Sequence, residues 1–128
     1  MQIGNYRLYS LDVQDFALDG GAMFGVVPKV MWEKLTPSDA FNRVMLKARV
    51  LLISGKGRHI LVDTGMGTAW SEKLRSIYLL SDFRLDSELL AHGLAPEDIT
   101  DIIYTHLHFD HAGGSVEREA RPVRVHYR

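Results

Sequence analysis

Four side chains that can bind a metal ion lie within six consecutive positions of this sequence. They are His106, His108, Asp110 and His111, and they follow the apolar stretch 99–104. In an extended segment, residues two apart project to the same side, so His106 and His108 can converge on one ion. Imidazole nitrogen and carboxylate oxygen suit zinc or another divalent transition metal. The chain contains no cysteine, so histidines and carboxylates must supply the ligands.

The alternative for any one histidine is an ordinary surface or core residue. Three histidines and an aspartate together at a strand end are hard to explain by packing, because burying them without a cation leaves polar groups unsatisfied. We therefore predict a metal site. A turn after Phe109 would let Asp110 and His111 face a second, neighbouring position.

The three remaining histidines have no ligand partner at a useful spacing. We predict that His59, His92 and His126 are surface or edge residues. Of these, His126 is the best substitute ligand, because its predicted strand directly follows the loop 106–111 that carries the four candidate ligands, called the metal loop below.

The elements that must position this loop alternate between strands and helices. The sequence predicts strands over 6–16, 42–54, 59–63, 99–104 and 122–127, the second and third forming a hairpin. It predicts helices from Pro28 through Leu35, from Ser71 through Tyr78 and from Asp86 to Gly93, with Ser71 and Asp86 as caps. The nearly continuous apolar run 99–104 predicts a strand covered on both faces. This order favours an α/β (α+β layered) fold with helices packed on a mixed sheet.

The length, net charge and apolar runs of the sequence argue against several classes of protein. A length of 128 residues predicts one domain, and a net charge of -1 argues against a nucleic-acid partner. No apolar run approaches a membrane span, and the first residues lack the pattern of a secretory signal. We therefore expect a cytoplasmic protein with no membrane or nucleic-acid partner.

Two motifs resemble those of the metallo-β-lactamase-fold hydrolases. One is His106-x-His108-x-Asp110-His111 with glycines at 113 and 114, and the other is the stretch 61–65, Leu-Val-Asp-Thr-Gly, around Asp63. The sequence looks most like the N-acyl homoserine lactonase branch of that family. The likeness runs over nearly the whole chain, but it matches only the N-terminal half of the family's fold.

The resemblance implies a hydrolase with one or two bound zinc ions, or other divalent transition metals. His106 and His108 would bind the first ion, and Asp110 with His111 the second. Hydroxide bound to the metal would attack an ester, lactone or similar carbonyl, and Asp110 would also orient the attacking water. The residues that bind the substrate are not identified by the resemblance.

Asp63 has two interpretations that can both hold. The resemblance implies a supporting residue behind the metal loop, which agrees with the need of metal-bound histidines for an outer hydrogen-bond acceptor. Alternatively, Asp63 is a turn residue that accepts backbone N–H bonds before Thr64 and Gly65.

The family takes its further metal ligands from a second half. By this resemblance, residues 1–128 form a single partial domain, the N-terminal half of an αββα sandwich with helices on one face of the sheet. Activity is then expected to require the missing C-terminal half or a homodimer. The alternative is a truncated, non-catalytic fragment or interaction module that binds metal weakly.

An apolar group near the glycines at 20 and 21 allows two interpretations. Met23, Phe24, Met31 and Trp32 could line a substrate entrance, although apolar clusters more often belong to the core.

Overall fold

The computed structural model describes residues 1–116 of the chain, and its strands form one sheet. The predicted strand 122–127, with His126, lies outside the described residues. The strands are β1 (Gln2–Ile3), β2 (Tyr6–Asp19), β3 (Arg43–Gly55), β4 (Arg58–Val62) and β5 (Asp101–Ile103).

The sheet is mixed, and its order follows the chain from β1 to β5. The first four strands pair antiparallel, whereas β4 and β5 are parallel. The predicted hairpin is confirmed as β3 and β4. Its loop is Lys56-Gly57, and both residues have positive φ angles, 52° and 73°. Two left-handed residues give the turn whose twist matches that of the flanking strands.

Helices lie between the strands and after β5. The helices are α1 (Gly20–Phe24), α2 (Lys29–Trp32), α3 (Glu72–Ile77), α4 (Leu85–Ala91) and α5 (Phe109–Ala112), with 3-10 turns at Pro96–Asp98 and Gly113–Ser115. The mixed sheet with helices confirms the predicted α/β class. The segment 63–100, which contains α3 and α4, supplies the long crossover that a parallel strand pair requires.

Two helix caps were predicted, and one is confirmed. Ser71 accepts a hydrogen bond from the backbone N–H of Leu74 at the start of α3. Asp86 does not cap α4, because that helix already begins at Leu85. Leu85 and Leu89 are both buried in the core, so packing against the sheet brings Leu85 into the first turn.

The hydrophobic core covers one face of the sheet. Leu11, Val50 and Leu52 pack there against Leu85 and Leu89 of α4. A bulge at Val13 shifts the register between β2 and β3, so buried positions continue along β2 beyond it. The opposite face carries ion pairs, in which Asp12 contacts Lys47 at 3.1 Å and Arg49 at 2.7 Å.

The strand β5 is shorter and more exposed than the sequence predicts. It has three residues, and Ile102 and Ile103 are 46% and 51% exposed. Adjacent residues of a strand project to opposite faces, so the expectation that both faces of β5 are covered is wrong for the described part of the chain. Within residues 1–116, none of the helices has the length and apolar character needed to cross a lipid bilayer.

Candidate metal centre

The candidate ligands and the proposed supporting residue Asp63 lie at the carboxyl ends of two neighbouring parallel strands. Asp63 follows β4 directly, and the loop that begins at Tyr104 follows β5. The backbone N–H of Asp63 donates to the carbonyl oxygen of Ile103 at 2.8 Å, which joins the two strand ends. Ligand sites of open α/β sheets occur at this edge, so the strand pairing places both motifs at one site.

The structure brings the predicted ligands together. The ring centroids of His106 and His108 are 4.5 Å apart, and those of His106 and His111 are 4.0 Å apart. The chain turns into α5 at Phe109, one residue earlier than the predicted turn. Because of this turn, Nε2 of His111 lies 3.4 Å from Oδ2 of Asp110.

Asp63 contacts the loop that carries the candidate ligands through both of its carboxylate oxygens. Its Oδ1 accepts a hydrogen bond at 2.8 Å from the backbone N–H of Thr105, which lies 42 positions away, so this bond joins two loops and is not the local bond of a turn residue. Its Oδ2 lies 2.8 Å from Nδ1 of His111, as an outer acceptor would. Asp63 is buried and has a φ of 63°, an uncommon conformation for a residue other than glycine.

The environment of Asp63 favours its ionised form. Burial raises the pKa of this carboxyl, but hydrogen bonds from His111 and from the backbone and side chain of Thr105 lower it by more. The net pKa is below the ordinary value, so the carboxylate is charged and can only accept hydrogen bonds. The groups that face it must therefore be donors.

Thr105 was not identified as a functional residue from the sequence. Its hydroxyl oxygen contacts Oδ2 of Asp63 at 2.8 Å and Nδ1 of His106 at 3.0 Å. The signal that could have revealed it is its position between the β5 strand and the first histidine. At that position a hydroxyl side chain can reach both motifs.

Backbone contacts hold the metal loop against the loop after β4. The N–H of Thr64 donates to the carbonyl of His111 at 2.7 Å, and the N–H of Gly114 donates to the carbonyl of Gly65 at 2.9 Å. A Cβ atom on Gly113 or Gly114 would collide with the backbone carbonyl of the facing loop. The glycines are therefore needed because the two backbones approach closely.

The donor set suits a zinc ion. Two ligands in a tetrahedral zinc site, each about 2.0–2.1 Å from the metal, lie about 3.3 Å apart, and the 3.4 Å between Asp110 Oδ2 and His111 Nε2 matches that spacing. Nδ1 of His111 is hydrogen-bonded to Asp63, so Nε2 is the ring nitrogen that remains to bind a metal ion. Within residues 1–116, no group of three or more histidine or carboxylate side chains is arranged so that it could hold a metal ion as it stands. The residues thus fit a metal in donor chemistry and in the spacing of this pair.

Two histidines outside the metal loop, His59 and His92, have ordinary environments. His59 bonds through Nδ1 to the hydroxyl of Ser54 at 3.0 Å, and the ring of His92 lies 4.3 Å from that of Tyr9. Neither histidine lies in the cluster, as predicted.

The apolar group near α1 and α2 divides into two parts. Trp32 is buried and its ring stacks on that of the partly buried Phe24 with a centroid separation of 4.6 Å, so these two residues pack against each other. Met23 and Met31 are exposed. A cavity of about 450 Å³ lies elsewhere, between α4 and the strand ends, and its lining includes Leu61, Leu85 and Leu89 but no candidate ligand.

Comparison with known protein families shows which family this chain belongs to. The sequence profile described as "Metallo-beta-lactamase superfamily" matches residues 46–121, which is more than half of the chain. The chain belongs to the metallo-beta-lactamase superfamily. This membership confirms the resemblance expected from the two motifs.

Relatives within the superfamily include hydrolases and lactonases. N-acyl homoserine lactonase AiiB of Agrobacterium fabrum is 31% identical over 121 residues, covering 87% of this chain and 43% of that protein. Metallo-hydrolase mfmC of Annulohypoxylon moriforme is 27% identical over 117 residues, covering 82% of this chain and 30% of that protein.

Solved structures of the superfamily share this fold. A probable metal-dependent hydrolase from Staphylococcus aureus superposes with a TM-score of 0.83 and 34% identity, covering 89% of this chain and 42% of that one. AidC, a dizinc quorum-quenching lactonase, superposes with a TM-score of 0.66 and 26% identity, covering 91% and 38%. The chain therefore spans less than half the length of each of these relatives.

Proposed function

We propose that this chain carries the first metal-binding motif of a metal-dependent hydrolase that acts on an ester, lactone or similar carbonyl. The observation that supports this most is the position of His111, whose Nδ1 bonds to buried Asp63 while its Nε2 faces Asp110. A histidine fixed on one nitrogen by a carboxylate, with the other nitrogen beside a second ligand, is typical of a metal site.

Each candidate ligand has a proposed role. His106 and His108 would hold one ion, and Asp110 with His111 would hold a second. When bound, zinc lowers the pKa of its water to about 7 and polarises a substrate carbonyl. Asp110 would orient the water through its second carboxylate oxygen. Asp63 would keep the His111 ring in place through its hydrogen bond.

The lactone class is the finer part of the proposal. It is supported by the relatives named as N-acyl homoserine lactonases and by the solved lactonase AidC, which contains a product. The exposed side chains of Leu107 and Phe109 beside the ligands provide apolar surface on which an acyl group could rest.

The test measures zinc bound per chain together with hydrolysis of N-hexanoyl homoserine lactone and of a simple aryl ester. We expect zinc uptake by the wild-type chain, and hydrolysis when that chain forms a homodimer or is combined with a C-terminal half of the family's fold. His106→Ala and Asp110→Ala should take up less zinc and should not hydrolyse either substrate. His92→Ala is the matched control, since this ring packs on Tyr9 away from the cluster.

Two results would contradict the proposal. Hydrolysis that survives both substitutions would exclude the four-residue cluster as the active centre. Zinc uptake without hydrolysis of either substrate, both in the homodimer and with the added C-terminal half, would favour the alternative, a metal-binding fragment or interaction module.

A further inference from the structure

The Thr105 hydroxyl occupies a central position between the two motifs. Its oxygen lies 3.0 Å from Oδ1 and 2.8 Å from Oδ2 of Asp63. It also lies 3.0 Å from Nδ1 of His106 and 3.4 Å from Nδ1 of His111. One hydroxyl group therefore meets a carboxylate and two imidazoles.

The donors and acceptors in this group can be assigned. The Asp63 carboxylate accepts only, and a hydroxyl has one proton, so Thr105 donates that proton to Asp63. Thr105 then offers only lone pairs to His106. The Nδ1 atom of His106 must carry a proton in order to form its 3.0 Å hydrogen bond.

The same reasoning gives the state of His111. Its Nδ1 lies 2.8 Å from the Asp63 carboxylate, so it too must carry a proton. A neutral imidazole that carries its proton on Nδ1 keeps a lone pair on Nε2. That nitrogen is the one available to a metal ion.

We propose that Thr105 is a positioning residue that holds His106 in the tautomer protonated on Nδ1. Through its hydroxyl it extends the influence of Asp63 from His111 to His106, so one carboxylate orients the imidazoles of both proposed metal positions. The value of this tautomer for metal binding rests on the function proposed above. The tautomer itself is a property of the metal-free chain.

The chain offers a variant that removes only this interaction. Thr105→Val keeps the β-branched shape and the backbone N–H bond to Oδ1 of Asp63, but it lacks the hydroxyl. Thr105→Ser retains the hydroxyl and is the matched control. If valine is not tolerated, Thr105→Ala also removes the hydroxyl, and melting of each metal-free variant checks that it folds.

The first measurement needs no metal. Long-range ¹H–¹⁵N correlation spectra of the ring nitrogens report which nitrogen is protonated. We expect Nδ1 protonation of His106 and His111 in the wild-type chain and in Thr105→Ser. In Thr105→Val, His106 should lose this preference, while His111 keeps it through Asp63.

Two spectral results would overturn the proposal. One is a wild-type His106 protonated on Nε2, and the other is a Thr105→Val spectrum in which His106 is unchanged. Because the spectra require no metal, the proposal can fail here even if zinc binding is confirmed.

The second measurement is zinc affinity by competition with a chelator. We expect Thr105→Val to bind about 10-fold more weakly and Thr105→Ser to stay within about threefold of the wild type. Equal affinity of the valine variant and the wild type would overturn the role in metal binding. A wild-type chain that binds no zinc would instead contradict the proposed function, and the spectra would still decide the tautomer.

Discussion

Oδ2 of Asp63 and Nδ1 of His111 lie 2.8 Å apart, although 48 positions separate these residues in the sequence. The contact joins the end of β4 to the first turn of α5. It depends on the parallel pairing of β4 with β5, which brings the two strand ends side by side. The contact therefore links the fold of the sheet to the orientation of a proposed metal ligand.

Replacing Asp63 tests this link. In Asp63→Asn one accepting oxygen is replaced by an NH2 group that donates and the negative charge is lost, so the partly buried donors of His111 and Thr105 lose a charged acceptor. We expect the free energy of unfolding to fall by about 1–3 kcal/mol and the zinc affinity to fall by about 10- to 100-fold. Chemical unfolding and chelator competition measure the two effects.

The control for this variant is Asp82→Asn. The Asp82 side chain is 98% exposed and only its 3.7 Å ion pair with Arg75 is lost, so both quantities should remain near wild type. Wild-type zinc affinity in Asp63→Asn would show that the His111 contact has no part in metal binding.

Gly114 is expected to be intolerant of a side chain. A methyl group there would collide with the carbonyl oxygen of Thr64, and the backbone of that loop has little room to move. We predict that Gly114→Ala lowers the free energy of unfolding by about 1–3 kcal/mol through overpacking. It should also weaken zinc binding, because the loop that carries His111 must shift.

Gly93→Ala separates this collision from a general cost of replacing glycine. Gly93 has open space around its Cα and a φ of 75°, so alanine there meets only the penalty of a left-handed conformation, about 1–2 kcal/mol. It should leave zinc affinity unchanged. Unaltered zinc binding in Gly114→Ala would refute the close packing of the two loops as a requirement of the site.

The stability that the pairing of β5 with β4 contributes should depend on pH, because Asp101 of β5 is an ionisable carboxyl. Arg58 donates from Nε to Asp101 at 3.0 Å, and this hydrogen bond from Arg58 holds the pKa of the Asp101 carboxyl below its ordinary value of 3.8. A carboxyl whose pKa is lower in the folded state stabilises the protein above its unfolded pKa. That contribution is lost as the pH falls through the folded pKa.

The variant Asp101→Asn isolates this contribution. At neutral pH it should be less stable than the wild type, and the difference should diminish as the pH falls below about 4. Chemical unfolding across this pH range measures the difference. A difference that stays constant from neutral to acidic pH would argue against the ion pair with Arg58 as its source.

Local sequence patterns predicted the elements that depend on neighbouring residues. The hairpin of β3 and β4 follows from two apolar runs around Lys56-Gly57, and the start of α3 follows from Ser71. By contrast, the predicted start of α4 was wrong, since burial of Leu85 outweighs the capping preference of Asp86. Capping contributes about 1 kcal/mol, which is less than burying a leucine.

The candidate ligands were identifiable from their types and spacing, but their supporting contacts were not. The role of Thr105 depends on the distance between its hydroxyl and Asp63, 42 positions away, and this distance exists only after β4 and β5 pair. Similarly, the sequence alone does not show why glycines stand at 113 and 114. They are needed because the facing loop approaches so closely.

X-ray absorption at the zinc edge of the zinc-loaded chain tests the central claim most directly. The account predicts a shell of nitrogen and oxygen ligands at about 2.0–2.1 Å, with outer scattering from imidazole rings that decreases in His106→Ala and in His111→Ala. His92→Ala should leave the spectrum unchanged. A spectrum without imidazole scattering, or one unaffected by either ligand substitution, would contradict the claim that this histidine and aspartate loop binds the metal.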